Sequence, residues 1–262
     1  MLFTENNTRG VVYMTSQNIQ TVHAFTTRYG GVSEGIFATL NLGLNLGDAR
    51  DNLIVNYAII RSALSVTPGG FACSNQTHGS FIRVVTRADC GEPPVPPECE
   101  ADGLITREAG IALTIFTADC VPILLHDPVR GAVGAVHAGW RGTASNIAGE
   151  AILKMTREFG CSPPDIRAAI GPCISKCCYE TGSDVADALR AVLKSTADSC
   201  IVPRAGKYML DLKEANRLLL VNAGLRDIAT SEECTSCQND KYWSHRRTDG
   251  NRGSQAAVIT LD

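Results

Sequence analysis

The stretch GLITREAGIALTIFTADCVPILLHDPVRGAVGAVHA, residues 103–138, decides the fold. It holds apolar, mostly β-branched runs at 103–107, 111–116, 121–126 and 132–138, parted by short turn-forming segments, and that pattern predicts strands. The gaps are too short for crossover helices, so this part reads as antiparallel. Further strand-like runs stand at 21–27, 81–86, 166–170 and 256–261. Helical patterns flank them: 52–66 through Val55, Ile59 and Ala63, and 144–159 through Ile147, Ala151 and Met155, closed by Gly160. A third covers 184–197 through Val185 and Leu189, and a fourth opens on the capping-box-like Asp211-Leu-Lys-Glu214 and ends at Gly224. Helices on both sides of a strand block predict an α/β or α+β class with a mixed sheet. CGEPPVPPECE, 90–100, reads as a proline-rich surface loop. No repeat or boundary interrupts the chain, so residues 1–262 are expected to form one domain.

Composition narrows the function classes. The net charge is −3 with both signs interspersed, which offers no basic tract for nucleic acid. MLFTENNTRG has no basic start with an apolar core, and no run approaches the roughly 18 apolar residues of a membrane span. The expectation is a cytoplasmic protein with a small-molecule substrate and neither a nucleic-acid nor a membrane partner. Eleven cysteines lie among helix and strand patterns, where thiols serve as small hydrophobes, metal ligands or nucleophiles.

Five histidines give fewer choices. His23 sits inside a strand pattern, and His126, before Asp127-Pro128, reads as a solvent-facing turn residue. His78 in NQTHGS, Cys120 after Asp119, and His137 in HAGW each stand at a strand end. Two imidazoles and a thiolate suit zinc and leave a fourth position open. The separations from 78 to 120 to 137 match no local ligand spacing, so spacing alone leaves both a shared site and three unrelated buried residues open. Asp119, or Asp102 in ADGL, is placed to orient an imidazole or accept a proton. Cys234-Thr-Ser-Cys237 is the only CxxC, half a structural zinc site at most and more simply two neighbouring thiols. Cys173, Cys177 and Cys178 come with no histidine and receive no role. WRGT, 140–143, is expected to open a helix after Thr143 and to offer its free N–H groups to phosphate beside Arg141. Arg28 and the Arg246-Arg247 pair, in glycine-rich loops, are further anion candidates.

The surroundings of these residues resemble a known family. QTHG around His78, TADCVPILL around Cys120 and VHAGWRGT around His137 are similar to the YfiH-like proteins once catalogued as multicopper polyphenol oxidases, or laccase-like proteins. That family is now associated with purine nucleoside phosphorylase and adenosine deaminase activity. TRYGGVSEG (27–35), NLGLNLGD (41–48), AIGPCISKCCYETGSDV (169–185), Tyr208-Met-Leu-Asp211 and SHRR (244–247) extend the likeness over nearly the whole chain. The resemblance implies a single four-layer α/β/β/α-like domain with mixed sheets, distantly like the catalytic domain of cytotoxic necrotizing toxins. It implies that His78, Cys120 and His137 form one zinc pocket, bordered by Arg28. The tail departs from the common pattern: Tyr242-Trp243 replaces paired phenylalanines and NRGSQAAVI a TGRMA-like run, so Arg252 receives no role.

The expected activity is zinc-dependent phosphorolysis of adenosine, inosine and S-methyl-5'-thioadenosine, with adenosine deamination as a side activity. Purine nucleoside and phosphate are the small-molecule partners. Cys120, His78, His137 and Asp119 are the expected catalytic residues, and Arg28, Arg141 and Arg246 the substrate-binding ones. Laccase chemistry needs roughly twice the imidazoles present. The alternative is a cysteine- or zinc-dependent amide hydrolase editing peptidoglycan precursors, with Cys120 as nucleophile and His137 as base.

Overall fold

The computed structural model describes residues 2–67, 70–91 and 99–261. Most of the proline-rich run at 90–100 lies outside them. The runs within 103–138 form the strands Gly103–Thr106, Ala112–Thr117, Val121–Asp127 and Ala132–Ala138, but two sheets share them. Gly103–Thr106 and Val121–Asp127 flank Ala132–Ala138 antiparallel, as expected. Ala112–Thr117 instead crosses to the other sheet, antiparallel to Gln255–Ile259 and parallel to Phe71–Ala72. The reason is that these strands are buried on both faces, so each needs a covering layer on either side.

The first six-stranded sheet runs in the order Phe3–Thr8, Val11–Ser16, His23–Thr26, Gln255–Ile259, Ala112–Thr117, Phe71–Ala72. The second runs Asp227–Thr230, Arg167–Ile170, Val121–Asp127, Ala132–Ala138, Gly103–Thr106, Ile82–Val84. Leu104, Leu113, Ile115, Leu124, Val133 and Ala135 fill the layer between them. Helix Arg50–Leu64 covers the first sheet through Tyr57, Ile60 and Leu64, packed with Ala24, Ala112 and Val258. Helices Ile147–Phe159, Ser183–Leu193 and Leu212–Asn222 cover the second through Ala151, Met155, Leu189 and Leu219. The architecture is thus four layers, α/β/β/α. Along Val121–Asp127 the side chains alternate, with Ile123 and Leu125 on the helix side and Leu124 on the sheet side. Each such fully buried side chain stabilises by about 1.5–3 kcal/mol. Leu124→Ala, which opens a cavity between the sheets, costs about 2–5 kcal/mol.

Local expectations shift in four places. The first long helix buries Leu53, Asn56, Tyr57 and Ile60, while Val55 is 42% exposed. Asn56 occupies the inward row because its side chain donates to Ser33 Oγ and Asn41 O and accepts from Val32 N–H, so hydrophobicity alone selects the wrong face. The helix expected after Thr143 begins earlier, as Trp140–Ala144, and a second helix, Ile147–Phe159, restarts at Asn146. There Asn146 takes φ 56 and its side chain caps the Gly149 N–H. His126 is buried in its strand and accepts a hydrogen bond from Gln20 N–H. An unforeseen hairpin joins Phe3–Thr8 to Val11–Ser16 through Arg9 and Gly10, both at positive φ.

Candidate metal centre

Strand register assembles the site. Val121 pairs with Ala138 and Pro122 with His137, so Cys120, one residue before its strand, comes opposite Gly139. Gly103 pairs with Val136, which sets Asp102 opposite His137. The parallel partner Ile82–Val84 starts beside Gly103, and the Asp102 N–H donates to Phe81 O at 3.1 Å. That contact brings the preceding loop, with His78, over the same strand ends. Ligand atoms of His78, Cys120 and His137 consequently lie within 4.8 Å of one another. The two imidazoles meet edge to face, with centroids 4.9 Å apart.

Asp102 is the pivot. Its carboxylate accepts the backbone N–H of Thr77 at 3.1 Å, His78 at 3.0 Å and Gly79 at 2.7 Å. These bonds hold His78 at φ 62, where successive amides face one anion. Asp102 Oδ1 also lies 2.7 Å from His137 Nδ1, which fixes the ring and leaves Nε2 for the site. Burial would raise the Asp102 pKa, but His137 and the Gly79 and Thr77 amides outweigh it, so the group lies below its ordinary value. Burial likewise opposes ionisation of Cys120, yet His137 and His78 bring the thiol down to about 6. His137 is raised to about 9 against its own burial, by Cys120 and Asp102. The metal-free site therefore favours thiolate beside imidazolium.

These donors fit a zinc ion: one soft thiolate, two imidazoles, the orienting carboxylate behind one of them, and separations compatible with bonds of about 2.0–2.3 Å. Gly139 completes the fit. A Cβ there would stand 3.0 Å from His78 Cδ2 and 3.2 Å from Cys120 Sγ, so any larger residue would press on both donors, and glycine lets this backbone pass close beside them.

The donors, exposed His78, half-buried Cys120 and buried His137, line a cavity of about 410 Å³ together with Phe116, Ile174, Tyr179, Arg246 and Arg252. That volume lies in the range of small-molecule sites. Arg246 donates through Nη1 to Cys178 O and Glu180 O and stacks 5.3 Å from the Tyr179 ring. Arg252 donates to Gly253 O and Ser254 Oγ, while its buried Nε has no protein partner among the described residues. Asp119, at φ 89, also lines the cavity. Its oxygens accept Thr235 Oγ1–H at 2.6 Å and Arg246 N–H at 2.7 Å, so it anchors the first turn of the short helix His245–Thr248 that carries Arg246.

Two expected anion groups fall outside this lining, although the charge of Arg141 still reaches Tyr179. Arg28 donates to the carbonyls of Ala38 and Asn239 and stacks 3.9 Å over Trp243. Arg141 is exposed over Trp140. Neither is among the described residues lining the cavity. His245, within the SHRR run, and Arg252, to which the divergent tail gives no role in the sequence reading, do line it.

Comparison with known proteins accords with this geometry. The family model described as "Multi-copper polyphenol oxidoreductase laccase" matches residues 22–262. A relative named purine nucleoside phosphorylase YlmD, from Geobacillus stearothermophilus, is 44% identical over 250 residues, covering 91% of this chain and 89% of the relative. The crystal structure of YlmD from that organism superposes with a TM-score of 0.93 at 38% identity, over 100% of this chain and 99% of that one. The Bacillus licheniformis hypothetical protein YfiH superposes with a TM-score of 0.92 at 37% identity, over 97% of both chains. A prokaryotic protein named adenosine deaminase RL5, from an unknown organism, is 33% identical over 246 residues, 91% of this chain and 93% of that one.

Proposed function

The chain belongs to this multi-copper polyphenol oxidoreductase laccase family, and on that premise we propose that it is a zinc-dependent purine nucleoside phosphorylase. Its substrates are adenosine, inosine and S-methyl-5'-thioadenosine, with deamination of adenosine as a side activity. The observation that carries the reading is the convergence of His78, Cys120 and His137 in the lining of a nucleoside-sized cavity that two arginines also line. The names of the YlmD and RL5 relatives support the two chemistries.

Phosphorolysis builds positive charge on the sugar as phosphate attacks and negative charge on the departing base, so the protein must hold an anion and orient ribose. Arg246 and Arg252 take the phosphate, as charge-assisted donors at the cavity edge. Phe116, Ile174 and Tyr179 provide apolar surface for the nucleoside and exclude water from it. Asp119 positions Arg246 through its backbone N–H, and Asp102 fixes the His137 ring. Zinc, when bound, supplies a Lewis acid for phosphate or a ribose hydroxyl. A laccase reaction fits poorly. Of five histidines, three line the cavity, and His23 and His126 are buried elsewhere, whereas a blue-copper centre with a trinuclear cluster needs roughly twice five.

A specific observation favours one other reading. Asp102, His137 and Cys120 stand in the order orienter, base and nucleophile, the logic of a cysteine-dependent amide hydrolase. That arrangement gives His78 no task, which the metal reading does. Incubation of metal-analysed protein with adenosine, with and without phosphate, separates the chemistries. Adenine formed only with phosphate supports phosphorolysis, and inosine without phosphate marks deamination. Absence of both products, with release of an amine from an amide substrate, would move the assignment to the hydrolase.

A further inference from the structure

Four cysteines behind the cavity wall meet at one point. Cys177 and Cys178 lie in the loop after strand Arg167–Ile170, and Cys234 and Cys237 in the loop after strand Asp227–Thr230. Those strands pair in parallel, and the pairing continues in a bridge between Cys173 and Cys234. The two loops therefore leave the sheet side by side. All four sulfurs lie within 4.8 Å of one another. Cys237 Sγ is 3.5 Å from Cys177 Sγ and 3.4 Å from Cys178 Sγ, and the latter two are 3.7 Å apart. Sequence spacing offers only half a site, since residues 177–178 and 234–237 are far apart in the chain.

We propose that Cys177, Cys178, Cys234 and Cys237 hold one zinc ion in a tetrathiolate site separate from the cavity. A tetrahedral ion with Zn–S bonds of about 2.3 Å sets its sulfurs about 3.8 Å apart, close to the separations found. A disulfide needs about 2.05 Å, which none of these pairs approaches. An iron–sulfur cluster interposes its own iron and sulfide and holds cysteine sulfurs farther apart than a single ion does. Donors that are all soft thiolates exclude magnesium and calcium.

The surroundings suit a bound cation. Buried Cys234 accepts the Ser175 N–H at 3.3 Å, a bond that stabilises a thiolate. Lys213, the nearby ammonium, donates to Ser175 Oγ, Ser231 O and Glu233 O, so it joins the same two loops through oxygens and leaves the sulfurs to another cation. Cys177 and Cys237 are exposed, which gives an ion a path from solvent. Binding changes no oxidation state, because each thiol releases its proton to solvent as its sulfur takes up the metal. With four protein ligands the site is closed and structural. The first loop also carries Tyr179 and the second leads into the short helix His245–Thr248 with Arg246, whose Nη1 donates to Cys178 O at 3.3 Å, so the ion clamps one side of the cavity.

The test is metal analysis of a His78→Ala/His137→Ala chain, which lacks the cavity donors and so makes the result independent of the phosphorylase reading. One zinc per chain should remain in it. Adding Cys177→Ser and Cys237→Ser, both at exposed positions, should remove that zinc. Cobalt replacing it should show the intense charge-transfer absorption of a tetrathiolate. In the unmodified zinc-loaded protein, Cys177 and Cys237 should resist alkylation until a strong chelator is added, a readout that requires no variant to fold. Absence of zinc from the folded cavity variant, zinc indifferent to the serine pair, or rapid alkylation of Cys177 and Cys237 in zinc-loaded protein would each overturn the proposal.

Discussion

Asp102 and His137 touch twice: the His137 N–H donates to the Asp102 carbonyl at 2.7 Å, and Asp102 Oδ1 lies 2.7 Å from His137 Nδ1. One residue thus sets both the strand register and the imidazole that faces the candidate ion, while its second oxygen binds the Thr77 and Gly79 amides of the loop carrying His78.

Asp102→Asn should therefore weaken the site without deleting a donor. An amide in place of the carboxylate turns an N–H₂ toward backbone donors, which leaves a conflict worth about 1–3 kcal/mol. Zinc affinity, measured by competition with a chelator, should fall roughly 10- to 100-fold, as for other partners behind a metal ligand. Unchanged affinity would remove Asp102 from that role.

Gly139→Ala places a methyl group 3.0 Å from His78 Cδ2 and 3.2 Å from Cys120 Sγ. The expected result is a folded protein with reduced metal occupancy, checked by metal analysis beside a thermal melt. A large drop in Tm with full occupancy would show that the strain is absorbed elsewhere.

Cys120 in the metal-free protein should alkylate at neutral pH, since its thiol is held at about 6. The lowered value makes thiolate the dominant form above that pH. The rate should decline about tenfold per unit as pH falls below it. Bound zinc should shield the sulfur. Peptide mass spectrometry with and without chelator measures this, and rapid alkylation or an acyl adduct at Cys120 in zinc-loaded protein would favour the hydrolase reading.

Arg252→Ala should raise the KM for phosphate roughly 10- to 100-fold, the value of one or two bonds from a charged donor. Arg141→Ala, at an exposed position beside Trp140, should leave that KM unchanged. Steady-state rates over a range of phosphate concentrations compare the two, and the opposite ranking would return the anion to Arg141.

The sequence carries the strand runs because residues such as Ile123, Leu124 and Leu125 are apolar on both faces. It does not carry the division into two sheets, since buried strands look alike whether a helix or another sheet covers them. The polar hairpin partner Phe3–Thr8 escapes for the opposite reason: it is an edge strand with little burial. Among site residues, His78, Cys120 and His137 stand out by type and by their position at strand ends. Their convergence depends on the register Gly103↔Val136 and Val121↔Ala138, which no local spacing encodes. The meeting of Cys177 and Cys178 with Cys234 and Cys237 is hidden likewise, and so is the cavity position of Arg252.

The most direct measurement follows adenosine and inorganic phosphate through three preparations of one protein sample: as purified, stripped of metal, and restored with zinc. The first should yield adenine and ribose 1-phosphate in equal amounts, the stripped protein neither, and the zinc-restored protein both again, with His137→Ala inactive throughout. Full turnover by the stripped protein, or adenine released with free ribose in place of ribose 1-phosphate, would contradict zinc-dependent phosphorolysis.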